Sequence, residues 1–469
     1  MTNKSTTALD KQGISENRKN AINYAIKHVS SDQRVIVVDG LNPEDNAMIQ
    51  AVLSRDPKSI VPHLEKLQKE GSGKIMGLFY VGYGHGSIGQ CGFTTIFLEN
   101  VSMLVAKAFQ DSSLYNGQES STRYLNMSLQ ECKNPEGTSK GAMRQKKSMD
   151  FYEKVLAEIL PSLKDRFPAE EGLDEKKLSV YNKSLKAKAF DIARGFLPAG
   201  VTTYVSWTTS LQHLKNRIDV LKHHPVSEVR EIAEQVLAAA KETYPDSFSH
   251  KDYPAQEEYN KFVSTKNTYW DLPFQEFCVT KNTLSVSDLK RYSEELTNRP
   301  KHSELTSLIN ECGQIRVTFP LDFGSFRDMQ RHRPWVLKMP LLHTRFGFFP
   351  WYLDQLPENL RKEAKKHLEE LEKDLLEINV SSEELQNYIP MGYTVQTETT
   401  GGLPQYVYVC ELRTQQTVHP TFRVPEQKMA AYLKKWFSEN MNGMEIALYA
   451  DMDPDVFSNK RGTQDIVSK

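Results

Sequence analysis

Apolar positions along this chain form two successions of segments that follow the same order. In the first, residues 34–39 (RVIVVD) read as a short strand, and Asn42-Pro43 as the turn before a helix with Met48, Val52 and Leu53 on one face. Residues 75–81 (IMGLFYV) are a continuous apolar run that fits helix or strand, whereas 93–97 (FTTIF) are β-branched and aromatic and predict a strand. Tyr204, Trp207, Leu211, Leu214, Ile218 and Leu221 recur at steps of three and four, which predicts one apolar stripe on a long helix. His224-Pro225 interrupts it, and Val229, Ile232, Ala233, Val236 and Leu237 share one side of a following helix. The second succession starts with the strand-like 315–319 (IRVTF), and a helical segment leads into Arg331-His332-Arg333. Leu360, Ala364, Leu368, Leu371 and Leu375 line an amphipathic helix over 360–376. Residues 406–410 lead to Glu411-Leu412-Arg413, and His419-Pro420 precedes a helix with Met429, Leu433, Trp436 and Phe437 on one face.

A strand, a motif segment, a long helix, a His-Pro break and a final helix thus occur twice, which predicts an ancient duplication. The polar, unperiodic stretch between the two reads as a linker. The expected organisation is a disordered tail (1–20), a first domain (21–250), a linker (251–275), a second domain (276–450) and a second tail (451–469).

Composition narrows the function classes. The 469 residues are 39% hydrophobic and 25% charged, which is globular and leaves room for two domains. A formal net charge of -1 gives no global field toward nucleic acid or an anionic membrane. No apolar run approaches the roughly 18–20 residues of a membrane span, and the polar N-terminus does not read as a signal peptide. Cys91, Cys132, Cys278, Cys312 and Cys410 are scattered without a CxxC pair, which argues against a disulfide framework or a zinc knuckle and fits a reducing cytoplasm.

Three clusters could carry chemistry. In Glu119-Ser120-Ser121-Thr122-Arg123-Tyr124, the Ser121 hydroxyl and the Arg123 guanidinium are two residues apart and can converge on one phosphate; a polar loop explains the same residues. In Arg331-His332-Arg333, two cations flank an imidazole and can hold an anion; a solvated basic corner fits as well. Residues 82–89 (GYGHGSIG) lack the spacing of a dinucleotide fingerprint and of a Walker loop, and His85 there is a ligand or a turn residue. Cys91 reads as an inert thiol.

The order of these pieces resembles the flavin-dependent thymidylate synthase family. GHGS, a strand, an apolar helix, SLYNGQESSTRY, ARGFLPAGVTTYVSW, a long helix and EVREIA follow one another over about 75–245. The likeness returns more weakly over about 310–440, in MQRHR and CELRTQQTVHPTFRVPEQKMA. The family carries RHR-x7-S-x-RY, then Ala-Arg-x-x-Leu-Pro, then a late Leu-Arg. Here the first half keeps Glu119, Ser121, Arg123 and Arg194, but Asp111-Ser112-Ser113 stands where RHR belongs and Val220-Leu221-Lys222 where Leu-Arg belongs. The second half keeps Arg331-His332-Arg333 and Leu412-Arg413 but has lost S-x-RY, showing HTRFGFF (343–349) instead.

The resemblance implies an α+β fold in two tandem copies, each an antiparallel sheet with long helices, packed as a pseudo-dimer. Two chains would then reproduce a four-fold assembly, a homodimer that mimics a tetramer. It implies one composite site and methylation of dUMP to dTMP, with FAD as cofactor and NADPH and methylenetetrahydrofolate as co-substrates. Arg413 and Arg194 would be catalytic; Glu119, Ser121, Arg123 and Arg331 would join them around the nucleotide. Arg331, His332, Arg333 and His85 would hold the flavin. Gln90-Cys91, Ser210 and Gln212 depart from the family's flavin-side residues. Another pyrimidine such as UMP, or a non-catalytic nucleotide-binding paralogue, are the alternatives.

Overall fold

The structure, a computed structural model, describes residues 36–457. The expected N-terminal tail, together with Arg34 and Val35, lies outside the described residues, and 36–39 carry no strand. The chain is of mixed α+β type and divides into two compact units. Of the described residues, the first comprises 36–98, 114–118 and 206–265, and the second 99–113, 119–205 and 266–457.

In the first unit, helix α1 (Pro43–Leu53) is capped by Asn42, whose side chain accepts from Asp45 N. Met48 and Val52 are buried as expected, but Leu53 is exposed. Helix α2 (Ile60–Glu70) follows, and Met76–Gly82 is a π-helix, so the ambiguous apolar run is helical. Ala47, Met48, Leu64, Leu67, Met76 and Tyr80 form the core here.

Strand β1 (Phe93–Ser102) leads directly into helix α3 (Met103–Gln110), with Ser102 as the cap that accepts from Val105 N. Helices α4 (Ser139–Arg166) and α5 (Glu175–Ala193) precede strand β2 (Thr202–Ser210), which pairs with β1 in a two-stranded sheet. The long helix expected from Tyr204 onward is therefore a strand followed by helix α6 (Leu211–Leu221). TTYVSWTTS favours extended backbone, and the Ser210 side chain accepts from His213 N, which starts the helix there. Helix α7 (Ser227–Thr243) buries Val229, Ala233, Val236 and Ala240. Helix α8 (Pro254–Asn267) occupies part of the stretch that reads as an unperiodic linker.

The second unit holds an antiparallel sheet in the order β3 (Cys278–Asn282), β4 (Gln314–Asp322), β6 (Thr394–Gly402), β5 (Val336–Lys338). Helix α9 (Phe323–Met329) continues β4, helix α10 (Glu358–Leu375) buries its five expected apolar residues, and helix α11 (Leu403–Arg413) continues β6. Helix α12 (Pro420–Asn440) starts at the His419 cap. One hydrophobic core joins α4 and α5 to this sheet and its helices. Residues 451–457, at the start of the expected tail, pack here: Arg423 pairs with Asp451 and donates to the Asp455 carbonyl.

The strand–helix junctions recur at fixed spacings. Ser102 and Asp322, which end β1 and β4, are 220 positions apart. Thr202 and Thr394, which start β2 and β6, are 192 apart. Segments 195–200 and 387–392 meet through four backbone hydrogen bonds. Gly392 N donates to Gly195 O (2.8 Å) and Gly200 N to Asn387 O (2.9 Å). Met391 N donates to Leu197 O (2.8 Å) and Ala199 N to Ile389 O (2.9 Å), with Pro198 opposite Pro390. A shift of 192 turns each bond of a pair into the other with the roles exchanged.

The spacing is 216 between Cys132, bridged to Val201, and Phe348, bridged to Tyr393. The second succession is thus four residues shorter between the junction and the bridge. In the first succession that interval contains Ser121 and Arg123.

Candidate functional site

The second unit gathers most of the expected site residues around Asp328 on α9. Asp322 caps this helix by accepting from Ser325 N (2.8 Å). The same fully buried carboxylate accepts from Tyr352 Oη (2.8 Å) and the Thr421 hydroxyl, and lies 3.6 Å from Arg194 Nη2. Arg194, 1% exposed, also donates from Nη1 to Asp328 (3.1 Å) and from Nη2 to Ser325 Oγ (2.8 Å). A side chain at Gly324 would crowd this pair, since its Cβ would lie 3.0 Å from the Asp322 carboxylate and 3.1 Å from Arg194 Nε.

Arg123 is held just as firmly. Its Nε and Nη2 donate to Asp191 at 2.7 and 3.2 Å, and Nη2 also donates to the Thr417 carbonyl at 3.0 Å. Burial pulls the Arg123 pKa down to about 10. Burial acts the same way on Arg194, but Tyr352, Asp322 and Asp328 outweigh it and hold the guanidinium above its ordinary value. Burial raises Asp328, yet Arg194, Arg123, Arg331 and Arg413 together hold the carboxyl far below the usual carboxylate range. Those four arginines come in equal number from the two sequence halves. Ser121, partly buried, accepts from Arg123 N (3.3 Å). Glu119 accepts from Gln110 Nε2 (2.7 Å) and pairs with Arg327.

Arg331, His332 and Arg333 follow the end of α9, and Arg413 is the last residue of α11. Arg413 Nε donates to His332 Nε2 (2.6 Å), and Nη2 donates to the Asp328 carbonyl (3.2 Å). Burial, then the Arg413 charge, lowers His332 to about 3, so the imidazole is neutral and its Nε2 is the acceptor.

These residues open onto a cleft of about 540 Å³. Arg331, Arg333 and Arg413 supply positive charge to its lining, Glu304 is the one acidic lining residue, and Trp335 and Tyr408 add aromatic surface. Arg331 is exposed and makes no hydrogen bond or ion pair among the described residues. Arg123 and Arg194 are not among the lining residues; they stand with Asp191, Asp322 and Asp328 in a buried ion network. A cleft with three cations, one carboxylate and two aromatic rings suits an anion that carries a flat ring.

His85 belongs to the first unit. Its Nδ1 lies 3.1 Å from Arg55 Nη2, and its ring stacks near Phe79 at 6.2 Å between centroids. Sequence reasoning missed Asp191, Asp322, Asp328, Trp335 and Tyr408. A signal existed for Asp191, which precedes Arg194 by three residues in DIAR. Nothing in the linear pattern marked Asp322 as the capping carboxylate.

Residues 37–246 match the Thy1 family, thymidylate synthase complementing protein. A UPF0159 protein of Chlamydia pneumoniae is 24% identical over a match that covers 73% of this chain and 74% of that protein. A UPF0159 protein of Chlamydia muridarum is also 24% identical, over 79% of this chain and 80% of that protein. Both matches cover more of the chain than residues 37–246 alone.

Proposed function

Since residues 37–246 match the thymidylate synthase complementing protein family, we propose that this chain is a flavin-dependent thymidylate synthase-like enzyme with one site shared between two tandem copies. The copies are 21–250 and 276–450. The role-exchanging backbone bonds between 195–200 and 387–392 support this reading, because a self-complementary contact is what a two-fold pair of equivalent segments makes. The equal spacing of the strand–helix junctions supports it too, and sets Asp111-Ser112-Ser113 opposite Arg331-His332-Arg333 in the alignment of the copies.

The observation that carries the functional reading is the meeting of Arg123 and Arg194 with Arg331 and Arg413 around Asp328. Each copy supplies what the other lacks. The substrate in this reading is dUMP, methylated to dTMP with methylenetetrahydrofolate and NADPH. Arg331 takes the nucleotide phosphate or the flavin's anionic part, with Arg333 beside it. Arg413, fixed at Nε by His332 and at Nη2 by the Asp328 carbonyl, stabilises negative charge that develops on a uracil ring. Arg194 and Arg123 hold Asp328 ionised and in place.

The donor set fits a flavin's anionic end: the cleft is cationic, aromatic and of nucleotide size. When bound, FAD supplies the hydride chemistry, and the chain's residues orient the acceptor and neutralise its charge. The setting proposed is cytoplasmic, with two chains forming a homodimer.

A non-catalytic uracil-nucleotide binder is the second reading. Ser210 caps α6 and Gln212 donates to Asn216 (2.8 Å), where the resembled enzymes carry flavin-facing residues. Purified protein decides between the readings. Flavin absorbance and dUMP-dependent oxidation of the reduced flavin are expected. Colourless protein that binds dUMP but takes up no added FAD leaves only the binder, and protein that binds neither overturns both.

A further inference from the structure

Arg413 sits where a helix is weakest. It is the last residue of α11, and the last four carbonyls of a helix have no partner within it, so an end turn frays unless other groups hold it. Here a later segment of the chain does the holding. Asn442 and Gly443 follow α12 in left-handed conformations (φ 55° and 78°). Ile446 and Leu448 then bury in the hydrophobic core and anchor the segment that meets the last turn of α11.

Tyr449 N donates to Glu411 Oε1 (2.9 Å), and Asp451 N donates to Thr414 Oγ1 (2.9 Å). Glu411 and Thr414 are three residues apart, so alternate N–H groups of the segment meet neighbouring positions on the helix surface. Thr414 is fully buried. Its hydroxyl also donates to the Cys410 carbonyl (2.7 Å), and its own carbonyl accepts from Arg423 Nε (2.5 Å). Arg423 in turn pairs with Asp451 (3.1 Å). Glu411 pairs with Arg299, which also donates to the Ala447 carbonyl (2.7 Å). Arg413, between Glu411 and Thr414 in the chain, reaches His332 and the Asp328 carbonyl from the same turn.

We propose that residues 447–451 are a strap that positions Arg413 for its work on the uracil ring, and that the buried Thr414 hydroxyl is the contact through which the strap acts. The assignment rests on the charge-stabilising role given to Arg413 above. Hydrogen bonds from the guanidinium fix only the far end of a flexible side chain. The backbone end must be fixed as well, because a misplacement on the order of 1 Å can cost about a hundredfold in rate. Thr414 and residues 447–451 are not among the lining residues of the cleft, so Thr414 is a positioning residue. Arg413 meets a charge that develops in the transition state, so the strap's effect belongs in kcat and not in KM.

The test is dUMP-dependent oxidation of reduced flavin by the full chain, with kcat, KM and Tm measured for wild type, Thr414→Val and Thr414→Ser. Val keeps the shape of the side chain and removes the hydroxyl, whereas Ser keeps the hydroxyl. Thr414→Val should lower kcat by about tenfold or more, with KM for dUMP changed by less than about twofold, and Thr414→Ser should recover most of the rate. In an Arg413→Lys background, Thr414→Val should cost less than about twofold, because the contribution it removes is already gone. A lower Tm with kcat unchanged makes the segment a stabilising element only and overturns the proposal. So does a loss confined to KM, a loss that is equal in both Arg413 backgrounds, or a Ser variant no better than Val. A wild type that shows no dUMP-dependent flavin oxidation removes the enzyme reading itself, and the strap's role with it. Thr414→Ala gives the same readout if Thr414→Val does not fold.

Discussion

At the scale of single residues, the arginines separate by what surrounds them. Arg331 lines the cleft without a hydrogen-bond or ion-pair partner among the described residues, so Arg331→Ala should weaken dUMP binding by about 1.5–3 kcal/mol, as a lost hydrogen bond to a charged group does, with little change in Tm. Arg123 is different. Arg123→Ala would remove the guanidinium that pairs with the buried Asp191 carboxylate, so a stability loss of about 3–5 kcal/mol is expected from denaturant unfolding. His332 adds a pH dependence. Its folded pKa of about 3 lies below the ordinary value of 6.5, so the unfolded chain takes the proton first. This contribution is complete above pH about 6.5 and is lost as pH falls toward 3, at up to about 1.4 kcal/mol per pH unit. Thermal melts of wild type and His332→Gln between pH 7 and 5 should show the shallower decline in the variant. The sequence made Arg331, His332 and Arg413 legible as motif members, but not the bond from Arg413 to His332, because the two lie on different helices' ends 81 positions apart.

At the scale of elements, the backbone contact between 195–200 and 387–392 is a close joint in the second unit. A Cβ on Gly200 would meet the Asn387 carbonyl at 2.6 Å, a backbone atom that cannot swing away. Gly200→Ala should therefore cost about 1–3 kcal/mol in denaturant unfolding, the usual penalty of overpacking. The order of strands and helices was readable in both halves, and strands β1 and β4 fell where β-branched and aromatic residues predicted them. The stripe from Tyr204 to Leu221 misled because spacings of three, taken alone, cannot tell two ends of a helix from a strand that hands over to one. Ser210 was the mark of the boundary, a capping residue in mid-stripe. Helix α8 was missed for another reason: its sequence is polar around most of its circumference and buries only Ser264.

At the scale of the molecule, the proposed duplication implies a second potential site, the counterpart of the cleft. Gln386 stands 192 positions after Arg194, and Asp111 stands 220 before Arg331. Tyr269, just after α8, sits with both: Gln386 Nε2 donates to its hydroxyl (2.9 Å), and burial raises its pKa, with Asp111 among the charges that push it further. The Lys107 ammonium lies 5.9 Å from the Tyr269 ring centroid. Under the proposed duplication, Tyr269 thus sits with the counterparts of Arg194 and Arg331. One dUMP per chain is expected in equilibrium dialysis, and two per chain would count against this reading.

The ion network around Asp328 has a consequence for inheritance. When a site is assembled from separate identical subunits, two differently damaged alleles can rescue one another in mixed oligomers. Here Arg123, Arg194, Arg331 and Arg413 act on one carboxylate from a single polypeptide, within one compact unit. A thymidine-requiring host given one allele with Arg331→Ala and another with Arg123→Ala should therefore stay dependent on thymidine, because no pairing of whole chains restores an intact network. For selection, the proposed four-arginine site behaves as one indivisible unit.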